Sequence, residues 1–276
     1  MNPELFRLHA EVELKHWWFV ARRRVVRTLL EAVVPPGRGH LIVDVGCGTG
    51  ATLGFLGDAY RCVGIDPSPD AIRLAASRFP GARFSRGHAP DDLGDDARDA
   101  DAVLLLDVLE HVADDFELFS RIAAELKPGA HILLTVPADR SLWSEHDVSF
   151  GHFRRYTAPR LREVWRGLPF TERLVSGLNA RLYPVVKAVR MLSRVRGTAS
   201  GRVGTDFRVG PAPVNAALTW IFAGEASRLR RAISNANGAS RLVYSRGVSL
   251  VALLRREPGE VVPRSLPEAL RGEDDG

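Results

Sequence analysis

The sequence predicts a doubly wound α/β domain built on a mostly parallel sheet, and three observations carry that prediction. The first is Leu41-Ile-Val-Asp-Val-Gly-Cys-Gly-Thr-Gly50, a short apolar strand that runs into a turn with Gly46, Gly48 and Gly50, followed by a helical pattern from Ala51 to Leu56. Glycine serves where the backbone turns at positive φ or where a ligand must touch bare backbone. A strand-to-helix turn also presents free N–H groups to a ligand. The second is Asp66, which closes the next apolar strand 22 residues after Asp44, about where a ribose-binding carboxylate belongs. The third is the regular alternation of strand and helix patterns from 41 to 137, which implies a parallel sheet with helices on its faces.

From the N-terminus, residues 3–34 keep helical apolar spacing through Leu5, Leu8, Val12, Phe19, Val26, Leu29, Leu30 and Val33, and Pro35-Pro-Gly37 stops the run. Within it lie Trp17 and Trp18, followed by Arg22-Arg-Arg24. Adjacent residues on a helix point about 100° apart, so one helix–core interface hardly buries both rings. Residues 1–37 are therefore expected to pack across the main domain as a helical lid, with aromatic faces toward an apolar substrate. Strands are expected at 41–45, 61–65, 82–86, 101–106 and 131–136, and helices at 50–57, 69–78 and 115–126, with Ser68 as N-cap and Pro69 at the first helical position. The fourth strand ends in Asp107-Val-Leu-Glu-His111, at the carboxyl edge where an α/β site lies. Glu110 and His111 read equally as loop caps or as pocket residues.

These motifs together resemble those of the class I S-adenosylmethionine-dependent methyltransferases. The resemblance rests on Val43-Asp-Val-Gly-Cys-Gly-Thr-Gly50, then Gly64-Ile-Asp66-Pro-Ser68, then Leu106-Asp-Val-Leu-Glu-His-Val112, then Leu126-Lys-Pro-Gly129. It covers roughly residues 41–137 in order and spacing, and it is similar to the small-molecule branch of that class. It implies a Rossmann-like methyltransferase fold with seven strands, S-adenosylmethionine as methyl donor and S-adenosylhomocysteine as product. The implied cofactor residues are Asp44, Gly46, Cys47, Gly48, Gly50, Asp66, Pro67, Ala89 and Asp107. Asp44 would organise the turn and the cofactor ammonium, and Asp66 would accept the ribose hydroxyls. His88 stands where the family often has an acid near the adenine, which leaves that contact to the Ala89 backbone or to Asp91.

After the fifth strand comes Pro137 to Thr157, about twenty residues without clear periodicity; loops of that length inside a compact domain are usually functional. His146, Asp147 and His152, together with His111, are the candidate catalytic residues, His146 or His152 being oriented by Asp147 as a general base if the acceptor is a hydroxyl. Trp143, Arg154, Arg155 and Tyr156, with Trp17 and Trp18, are candidate acceptor contacts, the arginines suiting a carboxylate or phosphate. No metal ligand set is expected. Strands six and seven are expected at 170–175 and 247–254, with an insertion over 180–240 that contains helical pieces at 181–196 and 214–233. The main domain is thus 38–256. Glu225 falls on an apolar helix face and should be paired, because burying it alone is costly. Residues 196–212 read as a Gly- and Arg-rich loop, and 257–276, with Pro258, Pro263, Pro267 and an acidic end, as a disordered tail.

Charge is uneven. Residues 91–117 carry eleven acids and only Arg98 as a base, whereas 180–256 carry fourteen Lys/Arg against Asp206 and Glu225. The basic amphipathic stretch 181–196 reads as a helix packed on its own domain or as a peripheral membrane contact. No uncharged apolar run reaches the roughly 18 residues needed to span a bilayer, no signal-peptide pattern opens the chain, and two cysteines give no disulfide framework. A cytoplasmic or membrane-peripheral location is the expectation. The acceptor is expected to be a small molecule, apolar or lipid-linked, with O-methylation slightly favoured. The basic carboxyl-terminal half also raises nucleic acid as a partner, but the Asn/Asp-Pro-Pro-Tyr/Phe motif of base methylation is absent. Two alternatives remain open at this point. One is a nicotinamide-dependent short-chain-type reductase, since Tyr183-x-x-x-Lys187 has the appropriate spacing, although Pro184 interrupts it. The other is a non-catalytic protein that binds a cofactor-like ligand.

Overall fold

The computed structural model describes residues 3–195, 209–234 and 242–271. Its sheet has seven strands: β1 (Leu41–Val45), β2 (Arg61–Asp66), β3 (Arg83–Arg86), β4 (Ala102–Leu106), β5 (His131–Pro137), β6 (Phe170–Leu178) and β7 (Ser249–Arg256). They lie in the order β3-β2-β1-β4-β5-β7-β6. The first five run parallel, and β7 is antiparallel to both β5 and β6. Chain order reverses between β1 and β4, so the carboxyl ends of these two strands flank the crevice where a ligand of such a sheet belongs. The central strands are buried along their whole length, as expected of strands covered on both faces.

In chain order the α-helices are α1 (Pro3–Val12), α2 (Trp17–Glu31), α3 (Ala51–Leu56), α4 (Pro69–Arg78), α5 (Asp95–Asp99), α6 (Asp115–Glu125), α7 (Glu145–Ser149), α8 (Ala158–Glu163), α9 (Tyr183–Val195), α10 (Ala212–Ala223), α11 (Ala226–Ser234) and α12 (Glu268–Arg271). One apolar core, from Val43, Val103, Leu105, Phe116, Phe119, Ile122 and Trp165, fills the face under α5, α6 and α8. The opposite core joins Leu29, Leu30, Leu53, Leu104 and Leu133 to Phe222 and Leu229 of the insertion. Lid and insertion thus form one layer with the sheet. Asn215 of α10 fastens them, accepting from the Trp17 amide at 2.8 Å and donating to the Lys15 carbonyl at 2.9 Å.

Several boundaries differ from expectation for identifiable reasons. The N-terminal run is two helices, because His16 turns out as N-cap of α2 and accepts from the Trp18 amide. The second insertion piece breaks at Gly224-Glu225, where the buried Glu225 carboxylate accepts from the Arg181 amide at 2.8 Å. The expected pairing of Glu225 is therefore with backbone. Residues 257–271, expected as a disordered tail, are instead docked. Val261 and Leu266 are buried, the Leu266 amide donates to Asp114 at 2.9 Å, and Arg264 lies over the Phe116 ring. Proline content signalled irregular backbone there, but two well-spaced apolar residues sufficed to anchor it. Residues 272–276 and most of the 196–212 loop lie outside the described residues. No helix among the described residues is long and apolar enough to cross a membrane.

Candidate active site

The glycine turn is built as its composition requires. Gly46, Gly48 and Gly50 have φ of +68°, +52° and +83°. A Cβ on Gly50 would sit 2.9 Å from Ala75 and Phe84, whereas one on Gly48 would meet nothing within 4 Å. Gly50 is therefore glycine for packing, and Gly48 presents open backbone to the crevice. Asp66 at the end of β2 braces this turn. Its two oxygens accept from the Gly48 amide at 3.0 Å and the Ser68 amide at 2.9 Å. Burial raises its pKa, against the pull of those two N–H groups. Asp44 is buried beneath the turn, and burial pushes its carboxyl up to about 7, with Arg22 opposing and Asp66 adding to the rise. Cys47 is buried in the turn, and burial pushes its thiol far up, so the side chain serves as packing. Ala89 is buried beyond β3, while Asp91 is turned to solvent and pairs with Arg121.

The lid is fastened to this turn by residues that the sequence did not single out. Glu13, in the turn between α1 and α2, accepts from Thr49 Oγ1 at 2.7 Å and pairs with Arg78. Arg22 pairs with Asp107 at 2.9 Å and donates to Thr135 Oγ1, which in turn donates to Asp107 at 2.9 Å. Asp107 stands at φ +58° just past β4, so a positive-φ non-glycine residue aims a carboxylate at the mouth of the crevice. Trp18 lies under the Arg22 guanidinium at 5.0 Å, and Trp17 packs edge-on to Phe222 of α10. The two indoles therefore divide the labour. One supports the arginine over the site, and the other seats the insertion.

On the other side of the crevice a short 3-10 turn, Leu109–His111, follows β4. Glu110, His111 and His152 each offer a ligating atom within 4.8 Å of the others. Glu110 is 0% exposed, and neither carboxylate oxygen has a hydrogen-bond partner. Burial, reinforced by the charge of Asp107, raises its pKa well above the ordinary range. Burial likewise lowers His111 to about 4, with His152 adding to the depression and the Phe150 carbonyl opposing it through a hydrogen bond. His111 is therefore neutral at physiological pH. The two imidazoles meet edge to face at 4.7 Å. His152 Nδ1 lies 3.0 Å from Asp147 Oδ1, the partnership expected of them. His146 instead stacks on Phe150 at 4.4 Å.

Three expected acceptor contacts are corrected. Arg154, Arg155 and Tyr156 are all buried. Arg154 donates to the Val112 and Ala113 carbonyls at 2.7 Å. Arg155 forms a two-pronged pair with Asp147 at 2.8 and 3.0 Å. Tyr156 donates to Asp115 at 2.8 Å. The segment pairs back on Ala138 beside the end of β5, which turns its polar side chains inward as a clasp. Burial disfavours an ionised Asp147, but the hydrogen bond from His152 and the charge of Arg155 outweigh it and hold its pKa well below the carboxylate range. The stability it contributes is fully present above the ordinary Asp value near 4 and is lost as pH falls below it. Acid unfolding that begins at lower pH in Asp147→Asn than in the wild type would contradict this. Trp143 is half-buried, and its carbonyl accepts from Arg194 of α9 at 2.8 Å, so it links the loop to the insertion. Tyr183 and Lys187, the pair that raised a reductase, are tied to Asp139, Tyr183 donating at 2.6 Å and Lys187 at 3.0 Å. They line a groove with Met191, Tyr244 and Arg246.

Comparison with known proteins agrees with this geometry. A family model described as a methyltransferase domain matches residues 17–173. The chain is 28% identical over 193 residues to trans-aconitate 2-methyltransferase of Deinococcus radiodurans, covering 62% of this chain and 73% of that protein. It is 34% identical over 117 residues to the ubiquinone biosynthesis O-methyltransferase of Caulobacter vibrioides, covering 39% of this chain and 44% of that one. A trans-aconitate 2-methyltransferase of Variovorax paradoxus matches at 31% identity over half of this chain and 51% of its own length. Among solved structures, a chain of the complex between the Haloferax volcanii Trm112 activator and a methyltransferase superposes with a TM-score of 0.54 at 20% identity, covering 92% of this chain and 98% of that one. Geranyl diphosphate C-methyltransferase from Streptomyces coelicolor, solved with S-adenosyl-L-homocysteine, superposes with a TM-score of 0.53 at 14% identity over 83% and 77% of the two chains.

Proposed function

Because the chain belongs to the class I S-adenosylmethionine-dependent methyltransferases, with S-adenosylmethionine as its cofactor, we propose that it transfers the methyl group to an oxygen of a small, apolar or lipid-linked acceptor. The observation that supports oxygen is the cluster of Glu110, His111 and His152 beside Asp107 at the carboxyl end of β4. The sulfonium donor is already activated, so the enzyme needs alignment, exclusion of water and a means of making the acceptor nucleophilic. A hydroxyl requires its proton to leave, and the polar groups that converge at that end of the crevice suit the task. An anionic acceptor is less well served, since Arg154 and Arg155 are spent within the fold. A first experiment is calorimetric titration of the purified protein with S-adenosylmethionine, S-adenosylhomocysteine and NADH, followed by an acceptor screen beginning with lipid extracts. Incorporation of labelled methyl into an O-methyl ether or ester supports the reading, and an N- or C-methyl product overturns the oxygen assignment.

Asp44 gives this reading a pH signature. Its carboxyl titrates near 7 in the free protein, and pairing with the cofactor ammonium favours the ionised form. Below that pH a proton must be removed before binding. The Kd for S-adenosylmethionine is expected to be flat above pH 7.5 and to rise by up to about tenfold per pH unit below 7. Equal affinity at pH 5.5 and 8 would exclude this role for Asp44.

The insertion supports a lipid-linked acceptor. In α9, Val185, Val189, Met191 and Leu192 are between 48% and 61% exposed, and Trp220 of α10 is 76% exposed. Large apolar side chains exposed together mark an interaction surface, and the strongly basic composition of 180–256 matches an anionic bilayer. The protein is expected to co-sediment with phosphatidylglycerol-containing vesicles and not with purely zwitterionic ones. Val185→Glu with Leu192→Glu should reduce the bound fraction at least tenfold, and retention equal to the wild type would remove the membrane from the reading.

A further inference from the structure

We infer that Glu110, His111 and His152 form a binding site for a divalent first-row transition-metal ion, which holds and activates the acceptor oxygen. This rests on the methyltransferase reading of the crevice but concerns a distinct ligand. The three ligating atoms come from two segments, the 3-10 turn after β4 and the loop after α7, and converge within 4.8 Å. A tetrahedral ion with bonds of about 2.1 Å separates its ligands by about 3.4 Å, so each pair must close by at most about 1.4 Å from the observed 4.8 Å limit.

Two independent features point to a cation. Glu110 is 0% exposed, yet both of its oxygens lack a hydrogen-bond partner. A buried carboxylate without one is costly, and it lies at the point where the imidazoles meet. The second feature is the outer shell. Metal-binding histidines characteristically give their other ring nitrogen to a carboxylate or a backbone carbonyl, which fixes the tautomer. His152 does so here: its Nδ1 is held by Asp147 at 3.0 Å. Asp147 is itself fixed by Arg155 on both oxygens and by the Ser144 amide. His152 therefore has its other nitrogen left for the centre of the cluster.

Two imidazoles and one carboxylate suit zinc, cobalt, iron or manganese rather than calcium or magnesium, and three protein ligands leave positions open on the crevice side. An acceptor hydroxyl bound there loses its proton to water more readily. Its oxygen then forms the bond to the methyl carbon as the carbon–sulfur bond breaks. The electron pair stays on sulfur, giving S-adenosylhomocysteine and the O-methyl product, with no change of oxidation state at the ion.

The test is titration of the tag-free, chelator-stripped full chain with Co2+, read by visible absorption and calorimetry, with Zn2+ as competitor. One Co2+ per chain, displaced by Zn2+, is expected. Glu110→Gln and His152→Gln should each weaken binding at least a hundredfold, Asp147→Asn by about 10–100-fold, and His40→Ala, far from the site, not at all. Because a core variant can fail to fold, Zn2+ protection of His111 and His152 from carbethoxylation is mapped on the wild type, where at least tenfold slower labelling is expected. Absence of Co2+ and Zn2+ binding, binding that survives both Glu110→Gln and His152→Gln, or unprotected histidines overturns the inference. S-Adenosylhomocysteine titration of the same samples separates the readings: metal binding without cofactor binding retains the ion site and removes the methyltransferase role, and the reverse removes the ion alone.

Discussion

Asp66→Ala is expected to weaken S-adenosylmethionine binding about 10²- to 10⁴-fold. The argument starts from position. Asp66 closes β2 beside β1, and its carboxylate faces the open backbone of Gly48. In the family, an acid here accepts the two ribose hydroxyls of the cofactor. Each such charge-assisted hydrogen bond contributes about 1.5–3 kcal/mol, so losing both removes about 3–6 kcal/mol, or two to four decades in Kd. Part of the loss arrives through the turn, since the alanine also strips an acceptor from the Gly48 and Ser68 amides. Asp66→Asn separates the two contributions. It keeps an oxygen for one amide and loses the charge, so it should fall between alanine and wild type in affinity while melting close to wild type. Calorimetry at pH 8 decides the matter: an Asp66→Ala affinity within threefold of wild type would remove the ribose role and place the cofactor elsewhere.

What was legible in the sequence was whatever is encoded locally. Gly46, Gly48 and Gly50 announce a turn because only backbone conformation explains three glycines in five residues, and all three stand at positive φ. The apolar runs of β1, β4 and β5 announce buried parallel strands for the same reason. What was illegible is encoded between distant residues. Nothing near Arg22 indicates Asp107, 85 residues on, and nothing near Glu13 indicates Thr49 and Arg78; these partners meet only once the lid has folded over the turn. Arg154 and Arg155 were misread because cationic residues past a strand end suit either an anion or the fold. The choice was made by Asp147 and Asp115, themselves buried and in need of partners. Glu110 is the instructive case. Its sequence context allows a loop cap, and only its complete burial without a hydrogen-bond partner, beside His111 and His152, sets it apart from one. α9 shows the converse. Its helical periodicity was plain, but the direction of its apolar face was not, and Val185, Val189 and Leu192 turn outward.

The clasp gives the second large effect, and it falls on the fold rather than on the cofactor. Asp115, at the start of α6, is 0% exposed and accepts from Tyr156 Oη at 2.8 Å and from Arg160 at 3.0 Å, with Arg154 at 3.8 Å. Asp115→Ala leaves two buried guanidinium groups and a phenol facing a methyl group. Removing one partner from a buried charged network costs about 3–5 kcal/mol, because the remaining charges stay desolvated. For a domain of this size each kcal/mol lowers Tm by about 2–4 °C, so a fall of roughly 6–20 °C is expected. Asp115→Asn keeps the acceptor for Tyr156 and loses the charge toward the arginines, and it should lie between. The location of the damage is as informative as its size. The clasp holds the segment that presents His152, and it does not touch Asp44, Asp66 or the glycine turn. The fraction of Asp115→Ala that remains folded should therefore bind S-adenosylhomocysteine within a fewfold of wild type while losing methyl transfer. Scanning calorimetry with cofactor titration at 15 °C checks both halves. A Tm within 2 °C of wild type would show that the buried charges re-pair without Asp115, and a parallel loss of cofactor affinity would show that the clasp and the glycine turn are one cooperative unit.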